Sequence, residues 1–174
     1  NDTTRPTPTS TTTLASPTNL TSIPFTISFD EDVYGLEEND LVITNASIES
    51  FTQNSLLDYS ITLNPISSGD VEISIPENVA FDASANGNYY ADFSIRFDND
   101  RPQIEILNPE DGSVHNGTFS IEVKATDNEG LGQFVINLYN SSGFLASCVN
   151  ENAGGVNEYT ATCTIDTLQH PDGE

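Results

Sequence analysis

The feature that most constrains the fold is a strict two-residue alternation of apolar and polar side chains. Phe25, Ile27 and Phe29 alternate with Thr26 and Ser28. Such a period places every second side chain on one face of a β-strand and predicts that this face is buried. Similar sets recur at Leu41 and Ile43, at Tyr59, Ile61 and Leu63, at Val71, Ile73 and Ile75, and at Phe93, Ile95 and Phe97. No stretch keeps helical spacing long enough to predict a helix, so the sequence predicts an all-β protein.

Turn-forming residues separate these alternating runs. They lie at residues 34–35, 67–70 and 85–88, where Gly and Asn adopt a positive φ at little cost. Several short strands at intervals of roughly 8 to 12 residues, with turns between them, indicate an antiparallel β-sandwich.

The second half of the chain repeats this organisation. Its alternating sets are Ile104 and Ile106; Phe119, Ile121, Val123 and Ala125; Phe134, Ile136 and Leu138; and Tyr159, Ala161, Cys163 and Ile165. Residues 170–174 form a turn signal with no strand after it. We therefore expect the second sandwich to be incomplete at its carboxyl end and to lack its last strand.

A short repeated motif, Asp-x-x-Arg-Pro, marks the boundary between the two halves. Residues 2–6 read Asp-Thr-Thr-Arg-Pro and residues 98–102 read Asp-Asn-Asp-Arg-Pro, an offset of 96 residues from Arg5 to Arg101. A period of this length suits one β-sandwich domain. The sequence thus predicts two domains, at residues 1–100 and 101–174.

Charge and motifs exclude several classes of function. The chain carries 27 Asp and Glu against 4 Lys and Arg, for a net charge of -23. Nucleic acid is therefore excluded as a partner, because phosphate binding needs clustered basic residues. No apolar run in this segment approaches the ~20 residues of a membrane span. Without a nucleophile motif or a phosphate loop, the sequence predicts a protein that is not an enzyme.

Seven segments of the first domain follow one another in a characteristic order. They are residues 17–19, 23–29, 31–33, 40–45, 69–76, 80–82 and 86–88. In order and spacing they resemble the bacterial-type immunoglobulin-like (Ig-like) repeats of large surface, adhesin or fibre proteins. Residues 125–130 resemble a more general extracellular Ig-like module. The resemblance implies two tandem Ig-like β-sandwich domains. In this family a strand usually follows the Pro-Asp-Gly turn at 171–173, so either the chain is clipped or the strand comes from elsewhere.

The two cysteines indicate a compartment. Cys148 and Cys163 flank the Gly154-Gly155 turn almost symmetrically, so pairing the two flanking strands as a hairpin would bring them within reach of a disulfide. The alternative is two free buried thiols. The disulfide favours an oxidising extracellular or cell-surface location.

The Asn-X-Ser/Thr rule for N-glycosylation is fitted formally by Asn1, and its candidate sites are Asn19, Asn45, Asn116 and Asn140. The chain is rich in Asn, Ser and Thr, so chance matches are the alternative.

The amino-terminal segment is rich in Thr and Pro. Its candidate O-glycosylation sites are Thr7, Thr9, Thr11, Thr12 and Thr13. The composition is typical of glycosylated stalks and extended linkers. The segment could equally be the edge strand of the first domain, where Pro is tolerated.

Carboxylates near the domain boundary suggest a calcium site. By resemblance to extracellular Ig-like arrays, Asp98 and Asp100 would bind calcium together with Asp127 and Glu129. Residues 30–32, Asp-Glu-Asp, are a second candidate. The alternative is a solvated acidic surface.

These observations predict an extracellular structural protein that forms a rod, stalk or filament. Its partners would be neighbouring copies or further repeats of the same chain, and a strand from one copy would complete the second sandwich of the next to give a head-to-tail polymer. The obvious donor, the Thr-rich amino terminus, is poorly hydrophobic, which argues against this form of polymer. The alternative is an adhesin or accessory module that binds carbohydrate or a host protein through its loops, for which Tyr89-Tyr90 is the one adjacent aromatic pair.

Overall fold

A computed structural model describes residues 2–140 and 143–169, except for the side chain of Asn140. The chain divides into two compact units, Asn1–Asn99 and Asp100–Glu174. In the described residues every regular element is a β-strand apart from two short 3-10 helices. The prediction of an all-β fold is confirmed.

Within its described residues, 2–99, the first unit has seven strands in two sheets. The strands are β1 (Pro8–Thr11), β2 (Ile23–Phe29), β3 (Val42–Thr44), β4 (Ala46–Gln53), β5 (Asp58–Pro65), β6 (Gly69–Ile75) and β7 (Ala91–Phe97). One sheet has the order β1-β2-β5-β4 and the other the order β3-β6-β7. All neighbouring strands in both sheets are antiparallel.

The alternating apolar residues build the core of the first unit. Val71, Ile73 and Ile75 on β6 are fully buried, as are Ile23 and Ile27 on β2. They pack in one cluster with the inward side chains of β5, Tyr59, Ile61 and Leu63. Burying a side chain of this size contributes roughly 1.5 to 3 kcal/mol. The apolar side chains that the two-residue period places on the inner faces therefore hold the two sheets together.

The Thr-rich segment forms the edge strand β1. Its register pairs Pro8 with Phe29 and Thr11 with Thr26. Pro6 and Pro8 are buried, whereas Thr7 and Thr9 between and beyond them are exposed. An edge position suits proline because an edge strand need not donate every hydrogen bond.

The second unit has five strands within the described residues. They are β8 (Gln103–Asn108), β9 (Thr118–Thr126), β10 (Gln133–Asn140), β11 (Gly143–Asn152) and β12 (Glu158–Asp166). One sheet has the order β12-β9-β8, and β10 pairs with β11 in the other. A separate core of inward side chains, including Val123, Phe134, Ile136 and Cys163, lies between them. The predicted turn at 171–173 lies outside the described residues.

The hairpin predicted around Gly154-Gly155 is wrong. β11 pairs with β10, and β12 pairs with β9. The residues between β11 and β12 therefore cross from one sheet to the other. The pairing of β12 with β9 places Ala161, Cys163 and Ile165 in the core. A local turn signal does not reveal this pairing.

Neither 3-10 helix in the described ranges has the length or the apolar character that crossing a membrane requires.

Candidate functional site

Asn88 organises one group of loops in the first unit. Its side chain is fully buried. Its Oδ1 accepts hydrogen bonds from the backbone N–H groups of Val79 and Ala80, each at 2.9 Å. Its Nδ2 donates to the backbone oxygens of Pro76 at 2.9 Å and Tyr89 at 2.7 Å. One amide thus satisfies four backbone groups and joins the segment after β6 to the segment before β7.

Arg5 fastens the amino-terminal segment to the same loops. Its Nε donates to the backbone oxygen of Gly87, and its Nη2 donates to that of Asn88, both at 2.6 Å. The guanidinium also lies 4.4 Å from the centroid of the Tyr89 ring and 3.3 Å from Glu77 Oε2. Arg5 of the repeated Arg-Pro pair therefore connects the amino-terminal segment of the first unit to these loops.

Gly87 is required by a close backbone approach. A Cβ at this position would lie 2.9 Å from Asn78 Cα and would overlap the Asn78 side chain. This contact explains the glycine between the two asparagines of residues 86–88.

Three carboxylates meet beside these loops. One oxygen each of Asp2, Glu31 and Asp82 lies within 4.8 Å of the other two. Asp82 is buried and Glu31 is partly buried. The backbone oxygen of Asp2 accepts a hydrogen bond from Asn86 Nδ2 at 3.2 Å, which holds Asp2 near Asp82.

The pKa values of Asp82 and Glu31 are shifted in opposite directions. Burial acts to raise the pKa of Asp82, but hydrogen bonds from Asn86 and from backbone N–H groups outweigh it and lower the pKa. Burial raises the pKa of Glu31, and the neighbouring charges of Asp82, Asp2 and Asp30 raise it further. Glu31 Oε1 is buried with no hydrogen-bond partner.

This arrangement can hold either a proton or a cation. Hard cations such as calcium take oxygen ligands from carboxylates and would supply positive charge to the unpartnered Glu31 oxygen. Without a cation, the like charges favour protonation of Glu31. Of the predicted acidic run at residues 30–32, only Glu31 belongs to this group. Asp30 instead accepts a hydrogen bond from the Thr7 N–H at 2.7 Å, and Asp32 is exposed.

The other predicted calcium ligands are distributed between the two units. Asp98 belongs to the first unit, whereas Asp100, Asp127 and Glu129 belong to the second. Asp127 Oδ1 accepts a hydrogen bond from the backbone N–H of Glu129 at 2.9 Å, which is the contact of an Asx-turn. This set of ligands stays a prediction.

A disulfide joins Cys148 on β11 to Cys163 on β12. The two Cα atoms are 5.8 Å apart, and 15 residues separate the cysteines in sequence. Because β11 and β12 belong to different sheets, the bond links the two sheets of the second unit. Cys163 is buried in the core.

The predicted N-glycosylation sites differ in their surroundings. Asn19 and Asn116 are exposed. Asn45 has a φ of 58°, and its side chain bonds Ser67 on both sides, donating to the backbone oxygen at 2.7 Å and accepting from the backbone N–H at 3.2 Å. The side chain of Asn140 lies outside the described residues. Modification of these asparagines stays a prediction.

The predicted O-glycosylation sites lie on or beside β1. Thr7, Thr9, Thr11 and Thr13 are exposed, and Thr12 is partly buried. Thr9 Oγ1 donates to the backbone oxygen of Ser28 at 3.1 Å. Their modification also stays a prediction.

The strand arrangement defines the class of the first unit. Four strands in the order first-second-fifth-fourth face three in the order third-sixth-seventh, which is the arrangement of constant-type Ig domains. The first unit is therefore an Ig-like β-sandwich. A family model described as "Bacterial Ig-like domain" matches residues 2–98, and the chain belongs to this family. The predicted resemblance is confirmed. No match to the chain was found among curated proteins or among solved structures.

Membership of this family carries a general functional meaning. Bacterial Ig-like domains are modules of surface, structural or adhesin-type proteins and are typically non-enzymatic. They commonly occur in extracellular proteins, and the disulfide of the second unit fits an oxidising environment.

Proposed function

We propose that the chain is a load-bearing module of an extracellular rod, stalk or filament. The observation that carries this proposal is a parallel connection between the beginning and the end of the first unit. Thr18 and Phe97 form a parallel bridge. The backbone N–H of Thr18 donates to the oxygen of Arg96, and the N–H of Asp98 donates to the oxygen of Thr18, both at 2.9 Å.

This connection determines how the first unit responds to tension. When two parallel segments near opposite ends of a domain are pulled apart, their hydrogen bonds are loaded together along the strands. Antiparallel bonds at the end of a hairpin would instead break one after another. A parallel connection between the ends therefore supports resistance to stretching, which is what a stalk module needs.

Removing the Thr18 N–H is expected to weaken this resistance. Thr18→Pro eliminates the bond to Arg96 O, because proline has no N–H. Single-molecule force spectroscopy, with the chain held at its two ends, should show a lower unfolding force for the first unit. Thr18→Ala keeps the N–H and is the matched control. Equal forces for Thr18→Pro, Thr18→Ala and wild type would contradict the proposal.

We also propose that calcium binds between Asp2, Glu31 and Asp82. Support comes from the closeness of the three carboxylates and from the buried, unpartnered Glu31 oxygen. A cation here would stabilise the loops that Arg5 and Asn88 hold, because Asp2 and Asp82 lie in the segments they connect.

Replacement of Glu31 by glutamine tests the calcium site. The pKa of Glu31 is raised above its ordinary value of 4.5 in the folded protein. Protonated Glu31 therefore contributes its full share of the free energy of unfolding below pH 4.5, and this contribution is lost as the pH rises through the raised pKa. At pH 7 with a chelator, Glu31→Gln should therefore melt at a higher temperature than wild type. Added calcium should raise the melting temperature of wild type and have a much smaller effect on Glu31→Gln.

Asp32→Asn is the matched control, because it removes an equal charge from the exposed neighbour. It should retain the calcium response of wild type. A wild-type melting temperature that does not change with calcium would refute the site, and an equal response in Glu31→Gln would place calcium elsewhere.

The adhesin alternative has weaker support. Tyr89 and Tyr90 are about half exposed, as sugar-stacking rings must be. However, Arg5 lies over the Tyr89 ring, and the Tyr90 hydroxyl lies 3.3 Å from Ser74 Oγ. Binding of carbohydrate or of a host protein stays a prediction.

A further inference from the structure

The chain contains two Asn-Gly pairs, at residues 86–87 and 116–117. In such a pair the backbone nitrogen of glycine can attack the asparagine side chain, because glycine has no Cβ to hinder the approach. Whether this attack occurs in a folded protein depends on how firmly the asparagine side chain and the glycine backbone are held. The two pairs differ in this respect.

The pair in the first unit is firmly held. Asn86 Nδ2 donates hydrogen bonds to Asp82 Oδ2 at 2.8 Å and to the backbone oxygen of Asp2 at 3.2 Å. The backbone N–H of Asn86 donates to Asp82 Oδ1 at 2.7 Å. Gly87 is buried, and it lies so close to Asn78 that even a Cβ would overlap that residue. Attack on the Asn86 amide would have to break these hydrogen bonds and move a tightly packed backbone.

The pair in the second unit is held less firmly. Asn116 is exposed, and its side chain makes no hydrogen bond within residues 2–140 and 143–169. A Cβ on Gly117 would meet no heavy atom within 4 Å, so the backbone there has room to change. Thr167, at the start of the 3-10 helix Thr167–Gln169, restrains the glycine. Its Oγ1 accepts a hydrogen bond from the Gly117 N–H at 2.9 Å, and its own N–H donates to the Gly117 oxygen at 3.1 Å.

We propose that Asn116 is a site of spontaneous deamidation and that the Thr167 hydroxyl slows the reaction. The Gly117 nitrogen must lose its proton before it can attack, and the hydrogen bond to Thr167 Oγ1 holds that N–H on the hydroxyl. Asn86 stays intact because its amide is bound to Asp82. The inference goes beyond the load-bearing role and the calcium site, because both of these belong to the first unit.

The reaction consumes one water molecule and releases one ammonia molecule. Hydroxide takes the proton of the Gly117 N–H, and the nitrogen lone pair forms a bond to Asn116 Cγ. The Cγ–Nδ2 bond then breaks, and Nδ2 takes a proton from water and leaves as ammonia, which regenerates hydroxide and closes a succinimide ring. Water opens the ring at Cγ to give aspartate, or at the main-chain carbonyl carbon to give isoaspartate.

Deamidation changes the surroundings of Asn116 in two ways. Either product adds a negative charge to a chain whose net charge is already -23, and isoaspartate also lengthens the backbone by one carbon next to the Gly117–Thr167 hydrogen bonds. Asn116 is also a predicted N-glycosylation site, and Nδ2, the atom to which a glycan would be attached, is the atom that leaves. Deamidation and glycosylation of Asn116 therefore exclude each other.

Mass spectrometry of the full, unglycosylated chain after incubation in mildly alkaline buffer provides the test. Peptides that contain Asn86 and Asn116 are followed over time, and fragmentation distinguishes aspartate from isoaspartate. In the folded chain Asn116 should react at least about ten times faster than Asn86, the factor that corresponds to one hydrogen bond to a charged group. In urea, where neither pair is held, the two asparagines should react at similar rates.

Replacement of Thr167 by valine tests the role of its hydroxyl. Thr167→Val keeps the shape of the side chain and the backbone bond to the Gly117 oxygen but removes the acceptor for the Gly117 N–H. Asn116 should then react up to about five times faster, the factor that corresponds to one neutral hydrogen bond. Thr164→Val, at an exposed position of β12, is the matched control and should react at the wild-type rate.

Three results would overturn the proposal. One is an equal rate for Asn116 and Asn86 in the folded wild type. Another is an Asn116 that reacts in urea but stays intact in the folded chain, which would show that the fold protects it. The third is an equal rate for Thr167→Val and Thr164→Val, which would show that the Thr167 hydroxyl does not slow the reaction. The first two comparisons use the wild-type chain and do not depend on how well a variant folds.

Discussion

Replacing Asn88 by alanine is expected to lower the free energy of unfolding of the first unit by about 3 to 5 kcal/mol. The side chain satisfies the N–H groups of Val79 and Ala80 and the backbone oxygens of Pro76 and Tyr89. Alanine would leave these buried groups without partners. Each unsatisfied buried group costs roughly 1 to 3 kcal/mol, and water entering the space would recover part of the total. Calorimetry of the full chain would show the loss in the transition of the first unit.

Two further variants separate this network from a general effect of losing an asparagine. Asn54 is exposed, and its Nδ2 donates to Ser60 Oγ, so Asn54→Ala should change stability by less than about 0.5 kcal/mol. Asn88→Asp keeps an acceptor for Val79 and Ala80 but directs an oxygen at two carbonyl oxygens. It should therefore also destabilise strongly. A loss for Asn88→Ala no larger than that for Asn54→Ala would show that the loops do not depend on this amide.

Removing the Cys148–Cys163 disulfide is expected to destabilise the second unit by about 3 kcal/mol, the chain-entropy value for a loop of about 15 residues. The double substitution Cys148→Ala and Cys163→Ala removes the cross-link between the two sheets. Only the second unit should lose stability, because the first has its own core. The measurement is the thermal transition assigned to each unit.

Reduction of the wild type gives an independent comparison. A reducing agent should lower the melting temperature of the second unit in wild type and leave the alanine double variant unchanged. A double variant whose second unit melts at the wild-type temperature would mean that packing of Ala161, Ile165 and their neighbours alone holds the sheets together.

The strands of the first unit could be predicted from sequence because their signal is local. The sets Phe25–Ile27–Phe29 and Val71–Ile73–Ile75 alternate within a few residues, and the structure buries them. Pairing partners are not local. The turn signal at Gly154-Gly155 suggested that β11 and β12 pair, but each strand pairs with the partner that places its apolar face in the core. The cysteines were therefore predicted to meet, but across a hairpin rather than between sheets.

The carboxylate group could be predicted only in part. Glu31 stood out because it lies in an acidic run, but the folding of the loops, not sequence spacing, brings Asp2 and Asp82 to it. The triplet at residues 80–82 belonged to the family resemblance without indicating a ligand. Arg5 belongs to the short repeat that predicts the domain boundary. No local pattern indicates that its side chain donates hydrogen bonds to the backbone oxygens of Gly87 and Asn88.

The prolines of the amino-terminal segment have a consequence for molecules crowded side by side. Pro8 lies in β1, the outermost strand of its sheet, and offers no amide hydrogen to an approaching chain. Such a gap discourages lateral fusion of sheets between neighbouring molecules. Two neighbouring copies would therefore not readily join their sheets through this edge.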